Sequence, residues 1–92
     1  MSTKPYTERQ RVYEVIEDER NYQIAKWGDL DDSNTIGDFL LYLKRELTKA
    51  EEAYRNPETF KDATQSAAMN GIRKVAAVAV AAMERHGAPT RG

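Results

Sequence analysis

Ile72-Arg73-Lys74-Val75-Ala76-Ala77-Val78-Ala79-Val80-Ala81-Ala82-Met83 is the one stretch of the chain that is apolar almost all the way round when wound into a helix. At about 100° per residue, Val75, Val78, Ala79 and Ala82 cover one side, while Ala76, Ala77, Val80 and Met83 cover much of the rest. A surface helix needs one apolar stripe, so this helix is expected to be covered on several sides. Its alanines suit close approach of other helices. A chain of 92 residues has few elements with which to surround it, and neighbouring subunits are expected to supply part of the cover.

Outward from this helix the pattern stays helical. Residues Met1 to Tyr6 are a polar lead-in, and Thr7-Glu8-Arg9-Gln10 matches a capping box that starts a first helix over about Glu8 to Trp27. Val12, Tyr13, Ile16, Ile24 and Trp27 share one arc of it, with Val15 and Tyr22 on a second. Arg20 and Gln23 fall inside the main arc, where a polar group is either paired across an interface or faces a ligand. Gly28 to Asn34 is turn-rich. Thr35 and Asp38 then cap a second helix whose stripe is Ile36, Phe39, Leu40, Leu43, Leu47, Ala50 and Tyr54. Its flanking Lys44, Arg45, Lys49, Glu51 and Glu52 read as a solvated face.

Asn56-Pro57 ends the second helix and lets a third run from Pro57 to His86, antiparallel to it. Asn70-Gly71 interrupts that run at a cost of about 1 kcal/mol relative to alanine, so a kink or break is expected there. Arg85 and His86 suit the negative end of the helix, and Gly87 the left-handed position that closes it. No strand pattern occurs. The expectation is an all-α fold, one helical domain over residues 1–92, with three main helices, the third kinked, antiparallel packing and oligomeric assembly. Residues 1–6 and 88–92 are expected to be flexible ends.

Composition narrows the function. Fourteen basic residues against fifteen acidic give a formal charge of -1, which argues against a DNA- or RNA-polymer binder. A small anion held by a few placed charges remains compatible. Cysteine is absent, so disulfides and thiolate metal sites are excluded and self-association is the common remaining way to stabilise so small a core. Arg73 and Lys74 interrupt the only long apolar run, and the first twenty residues are too charged for a secretory signal. A soluble, cytoplasmic protein without membrane partners is expected.

Few catalytic constellations are available. The lone His86 reads as a helix-end cation, and Ser66 and the threonines have no sequence-level base beside them. Small helical chains of this kind are similar to the MazG-like nucleotide pyrophosphohydrolases, a resemblance that implies magnesium held by an EExxE motif on one helix and ExxD on the next. Here Glu51-Glu52 is followed by Arg55 at the third position, and the next helix offers Arg73 and Lys74 where carboxylates are wanted. Glu46, Glu51 and Glu52 read better as a charge-paired helix face. Neither a catalytic group nor a metal or other cofactor is expected.

A second resemblance rests on Glu19-Arg20-Asn21-Tyr22-Gln23-Ile24-Ala25-Lys26-Trp27-Gly28, the acidic linker after it, the amphipathic second helix, and Arg73 to Val80 ending in Glu84-Arg85-His86-Gly87. This plan, spanning most of the chain, resembles the small helical phage proteins of the anti-CBASS sponge family. The resemblance implies a homohexamer in the host cytoplasm. It implies capture, without breakdown, of cyclic dinucleotide and trinucleotide messengers such as cGAMP, which starves a bacterial immune effector. It also implies an aromatic ring stacked on a base and a lysine from a partner subunit on phosphate. Lys26 matches the lysine, and Tyr13 and Tyr22 both qualify for the ring.

The residues themselves allow this chemistry. Tyr22 and Lys26 are four apart on one helix face, so a ring and an ammonium stand side by side. Tyr13, Arg20 and Trp27 share another face, where they either serve a ligand or provide packing and an Arg–Glu pair. Arg73 and Lys74 must reach solvent, a carboxylate or an anion, and copies of Arg73 around a symmetry axis would form a positive ring. The candidate ligand-binding residues are therefore Tyr13, Arg20, Tyr22, Lys26, Trp27 and Arg73. A helical protein–protein module is the third class, with the wide apolar surface of the first helix as its partner site.

Overall fold

The computed structural model describes residues 6–28, 33–56 and 64–92. Among these residues the regular structure is three α-helices, α1 (Glu8–Trp27), α2 (Ile36–Arg55) and α3 (Thr64–His86), with no strand. Both expected capping boxes are formed. The Thr7 hydroxyl accepts from the Gln10 N–H at 3.0 Å while the Gln10 side chain accepts from the Thr7 N–H at 2.9 Å, and Thr35 and Asp38 repeat the exchange at 3.0 and 2.9 Å. Each cap contributes about 1 kcal/mol. Before α1, the Tyr6 hydroxyl donates to the Glu14 carboxylate.

The helix ends also follow from single residues. Gly28, at φ 80°, donates its N–H to the Ile24 carbonyl at 2.7 Å, and Gly87, at φ 103°, donates to Met83 at 2.8 Å. Only glycine takes these angles without strain. Asn56 closes α2 by donating both its backbone and its side-chain N–H to the Glu52 carbonyl, each at 3.0 Å. The expected start of the third helix at Pro57 lies outside the described residues, as do Met1 to Pro5 and Asp29 to Asp32.

α3 runs as one helix through Asn70-Gly71, so the break expected there does not occur. The reason is a close contact. A Cβ at Gly71 would stand 2.6 Å from the Ala50 Cβ and 3.1 Å from its Cα, inside the 3.5–4.0 Å at which carbon atoms normally meet. Glycine is there to let α2 and α3 approach. Around this crossing the core is built from small groups: Ala50 and Ala53 of α2 and Ala68 and Ala77 of α3 are buried, with Phe39 the one large member among the described residues. Among the described residues no large side chain is fully enclosed.

At the far end of the antiparallel pair, the Phe39 and His86 rings meet edge to face at 5.8 Å. His86 Nε2 lies 2.9 Å from the Asn34 carbonyl oxygen, and since a carbonyl can only accept, Nε2 carries the proton. His86 is thus a tie between the end of α3 and the entry to α2.

α1 touches α3 and not α2. The side it presents is mostly polar: Glu19 and Gln23 are buried and Ile16 and Arg20 partly so. Glu19 accepts from Arg73 Nε at 2.8 Å, while Arg20 next to it reaches Glu84, also at 2.8 Å. Those partners are eleven residues apart, about 16 Å along a helix, so α1 crosses α3 instead of lying along it. Val12 and Trp27, on the same face but one turn beyond the crossing at either end, are therefore exposed, as are Tyr13 and Ile24. The broad apolar arc expected as a contact surface is not covered within the chain. The radius of gyration, 15.5 Å, exceeds the roughly 12 Å of a compact domain this long.

Candidate functional site

Because α1 and α2 both rest on α3 without touching each other, a cleft of about 1370 Å³ remains between them. Its floor is one face of α3, where Lys74, Val78, Ala81 and Arg85 recur at helical spacing. One wall is the C-terminal half of α1, with Tyr22, Lys26 and Trp27, and the other is the Tyr42, Arg45, Glu46 and Lys49 side of α2. Among the described residues the lining carries seven Lys or Arg and four Asp or Glu, so a chain with a slight acidic excess gathers positive charge here. This is the surface on which an anion would be held.

The most specific arrangement is at the end of α1. Lys26 Nζ stands 5.8 Å from the centre of the Tyr22 ring and 5.4 Å from that of Trp27, within the range of cation–π attraction. Both rings are more than half exposed. Lys26 has no carboxylate partner among the described residues. A free ammonium is thus held between two aromatic faces that are open to a third.

The other charges of the cleft divide into two groups. Arg20 is paired with Glu84, Arg73 with Glu19 and with Asn70 at 2.7 Å, and Lys49 with Glu46 at 3.3 Å. Arg45 and Lys74 have no ion-pair partner among the described residues. Of the two cations that interrupt the apolar helix, Arg73 therefore meets its carboxylate inside the chain. Lys74 is the one left for an anion.

Five of the six residues expected to bind a ligand, Arg20, Tyr22, Lys26, Trp27 and Arg73, line the cleft. Tyr13 does not, and it is 63% exposed. It is nine residues from Tyr22, which on a helix is half a turn round, so the two rings point opposite ways from α1. Arg45 and Tyr42 were not legible as site residues. Their signal, an aromatic and an arginine on the polar side of α2, reads as ordinary solvated surface until α1 is placed opposite.

Gln23 stands apart from its neighbours. It is 5% exposed, lines the cleft, and its side-chain amide has no hydrogen-bond partner among the described residues. Leaving such a group unmet costs about 1–3 kcal/mol. Of the two polar groups inside the α1 arc, Arg20 has found its pair and Gln23 awaits one.

On the acidic face of α2, Glu46 pairs with Lys49 and Glu51 with Arg55, each at 3.3 Å, while the Glu52 carboxylate has no ion-pair partner among the described residues. Among the described residues no group of three or more His, Asp or Glu side chains is placed to hold a metal ion, and no helix is long and apolar enough to cross a membrane. Comparison of the chain with protein-family models, curated proteins and solved structures finds no match in any of the three.

Proposed function

We propose that the protein captures cyclic oligonucleotide second messengers, cyclic dinucleotides and also trinucleotides, without cleaving them, and so blunts bacterial CBASS immunity from within the host cytoplasm. The observation that carries this reading is the Tyr22–Lys26–Trp27 cluster at the mouth of a cleft rich in positive charge. A base stacked on an exposed ring gains about 1–3 kcal/mol, and an ammonium beside that ring supplies a charge-assisted hydrogen bond to the adjoining phosphate. A cyclic dinucleotide carries two phosphates in one small ring. Lys26 on one wall and Lys74 on the floor, or Arg45 on the facing wall, offer separate contacts for them.

The capturing form in this proposal is a homo-oligomer, a hexamer by the family resemblance. The half-covered valines of α3, the overhanging ends of α1 and the expanded shape of the single chain support self-association. Tyr13, exposed and turned away from its own cleft, is then available to a neighbouring subunit.

Titration calorimetry against cyclic dinucleotides and trinucleotides without magnesium, with the molar mass fixed by light scattering, tests the proposal. Binding with ligand recovered unchanged is expected, and Lys26→Ala should weaken it tenfold or more without changing the mass. Absence of heat with every cyclic nucleotide, or magnesium-dependent turnover of linear nucleotides, would overturn it.

A further inference from the structure

The apolar stripe of α2 is wider than α3 can cover. Ile36, Leu40, Leu43, Leu47, Ala50 and Tyr54 alternate at spacings of four and three, as a heptad seam does. Ala50 is buried and Leu43 partly so. Ile36, Leu40, Leu47 and Tyr54 form a row on the adjoining side of the helix, each more than half exposed. The row is about 27 Å long at 1.5 Å per residue and continuous with the α2–α3 core. α1 leaves it bare, since α1 has no contact with α2.

The charges beside the row indicate what covers it. Lys44 and Glu51 lie along its outer edge, seven residues apart and of opposite sign. Lys44 has no ion-pair partner among the described residues, and Glu51 holds only Arg55 on the open surface. Row and charges share one centre. Leu47 is midway between Leu40 and Tyr54, and the midpoint of Lys44 and Glu51 falls within a residue of it. A second α2, turned antiparallel about a two-fold axis at Leu47, sets Leu47 on Leu47, Leu40 on Tyr54, and Lys44 beside Glu51 twice over. A two-fold contact between identical surfaces requires this kind of self-complementarity.

We propose that α2 pairs antiparallel with α2 of a second copy of this chain, through Ile36, Leu40, Leu47 and Tyr54 and two reciprocal Lys44–Glu51 pairs. This names a contact for the self-association proposed above, and it stands independently of any ligand. Closed assemblies that use it contain an even number of subunits.

Light scattering and oxidative cross-linking of the full chain, without nucleotide, test it. Because the chain has no cysteine, Leu47→Cys should give a disulfide-linked dimer on mild oxidation, while Glu52→Cys, on another side of α2, should not. Lys44→Glu and Glu51→Lys should each weaken association by roughly tenfold or more, since like charges then face each other twice. The double variant Lys44→Glu/Glu51→Lys should restore it, with helicity by circular dichroism unchanged throughout. No cross-link at position 47, single reversals that leave the mass unchanged, or a double variant no better than the singles would overturn the pairing. A negative nucleotide titration would leave these results standing.

Discussion

Gly71→Ala sets two physical effects against each other. Considered as one helix, α3 gains about 1 kcal/mol from the change, because alanine is the better helix former. Considered as a pair of helices, the new methyl lands 2.6 Å from the Ala50 Cβ and 3.1 Å from its Cα. The overlap is about 1 Å against a carbon–carbon contact distance of 3.5–4.0 Å. The Ala50 atoms belong to backbone and to its first carbon, so no rotamer change relieves it, and α2 and α3 must move apart along their crossing. Overpacking of this kind costs about 1–3 kcal/mol, at the upper end where the neighbours are rigid. The expected net loss is about 1–2 kcal/mol. For a chain of this length that lowers Tm by roughly 4–15 °C. Calorimetry at fixed protein concentration, required for any chain that self-associates, reads it directly. Ala50→Gly in the same chain reopens the space and should recover part of the loss as a non-additive coupling. An unchanged or higher Tm for Gly71→Ala would mean that the helices do not approach this closely.

Three further outcomes are expected. Glu19→Ala leaves the Arg73 guanidinium with Asn70 alone, and because the Arg73 side chain is one-third exposed, water offsets part of the loss. A urea midpoint corresponding to about 1–2 kcal/mol less stability is expected, with Arg73→Met in the same chain recovering part of it. Gln23→Met removes an amide that nothing among the described residues satisfies, so stability should hold or rise by about 1 kcal/mol in the same assay. Nucleotide affinity should fall, and a loss of stability larger than that gain would show the amide to be already bonded. Tyr6 donates to the Glu14 carboxylate, and this hydrogen bond, with the charge behind it, raises its pKa above the usual 10.0. Glu14→Gln should lower the pKa of Tyr6, which ultraviolet titration of the two chains reads as a difference.

The helix boundaries were legible because they depend on neighbours in sequence. Thr7 with Gln10, Thr35 with Asp38 and Gly87 each solve a problem posed by the residues within one turn, and each does in the structure what its pattern implied. The role of Gly71 was not legible for the opposite reason. Its purpose is a contact with Ala50, 21 residues earlier, and a glycine that terminates a helix looks the same in sequence as one that admits a neighbour. α1 was legible only in part. Periodicity identified Val12, Tyr13, Ile24 and Trp27 as an arc but not how much of that arc a crossing helix would reach, and all four are exposed in the single chain. The Tyr22–Lys26 pairing followed from i, i+4 geometry alone. The opposing wall, Tyr42 and Arg45, depends on the gap between α1 and α2, which no local pattern encodes.

The polar underside of α1 has a further consequence. α2 and α3 are joined by interlocking alanines and a glycine, an apolar contact with no charge for dissolved salt to screen. α1 is joined to α3 by Glu19–Arg73 and Arg20–Glu84, with Glu84 about half exposed, and such attraction weakens as dissolved salt screens it. One jaw of the cleft is thus fixed by shape and the other is tensioned by charge. The width between the jaws is set partly by the ionic strength of the medium, and on the proposed function an anion lodged between them would be one more of the charges that draw α1 inward.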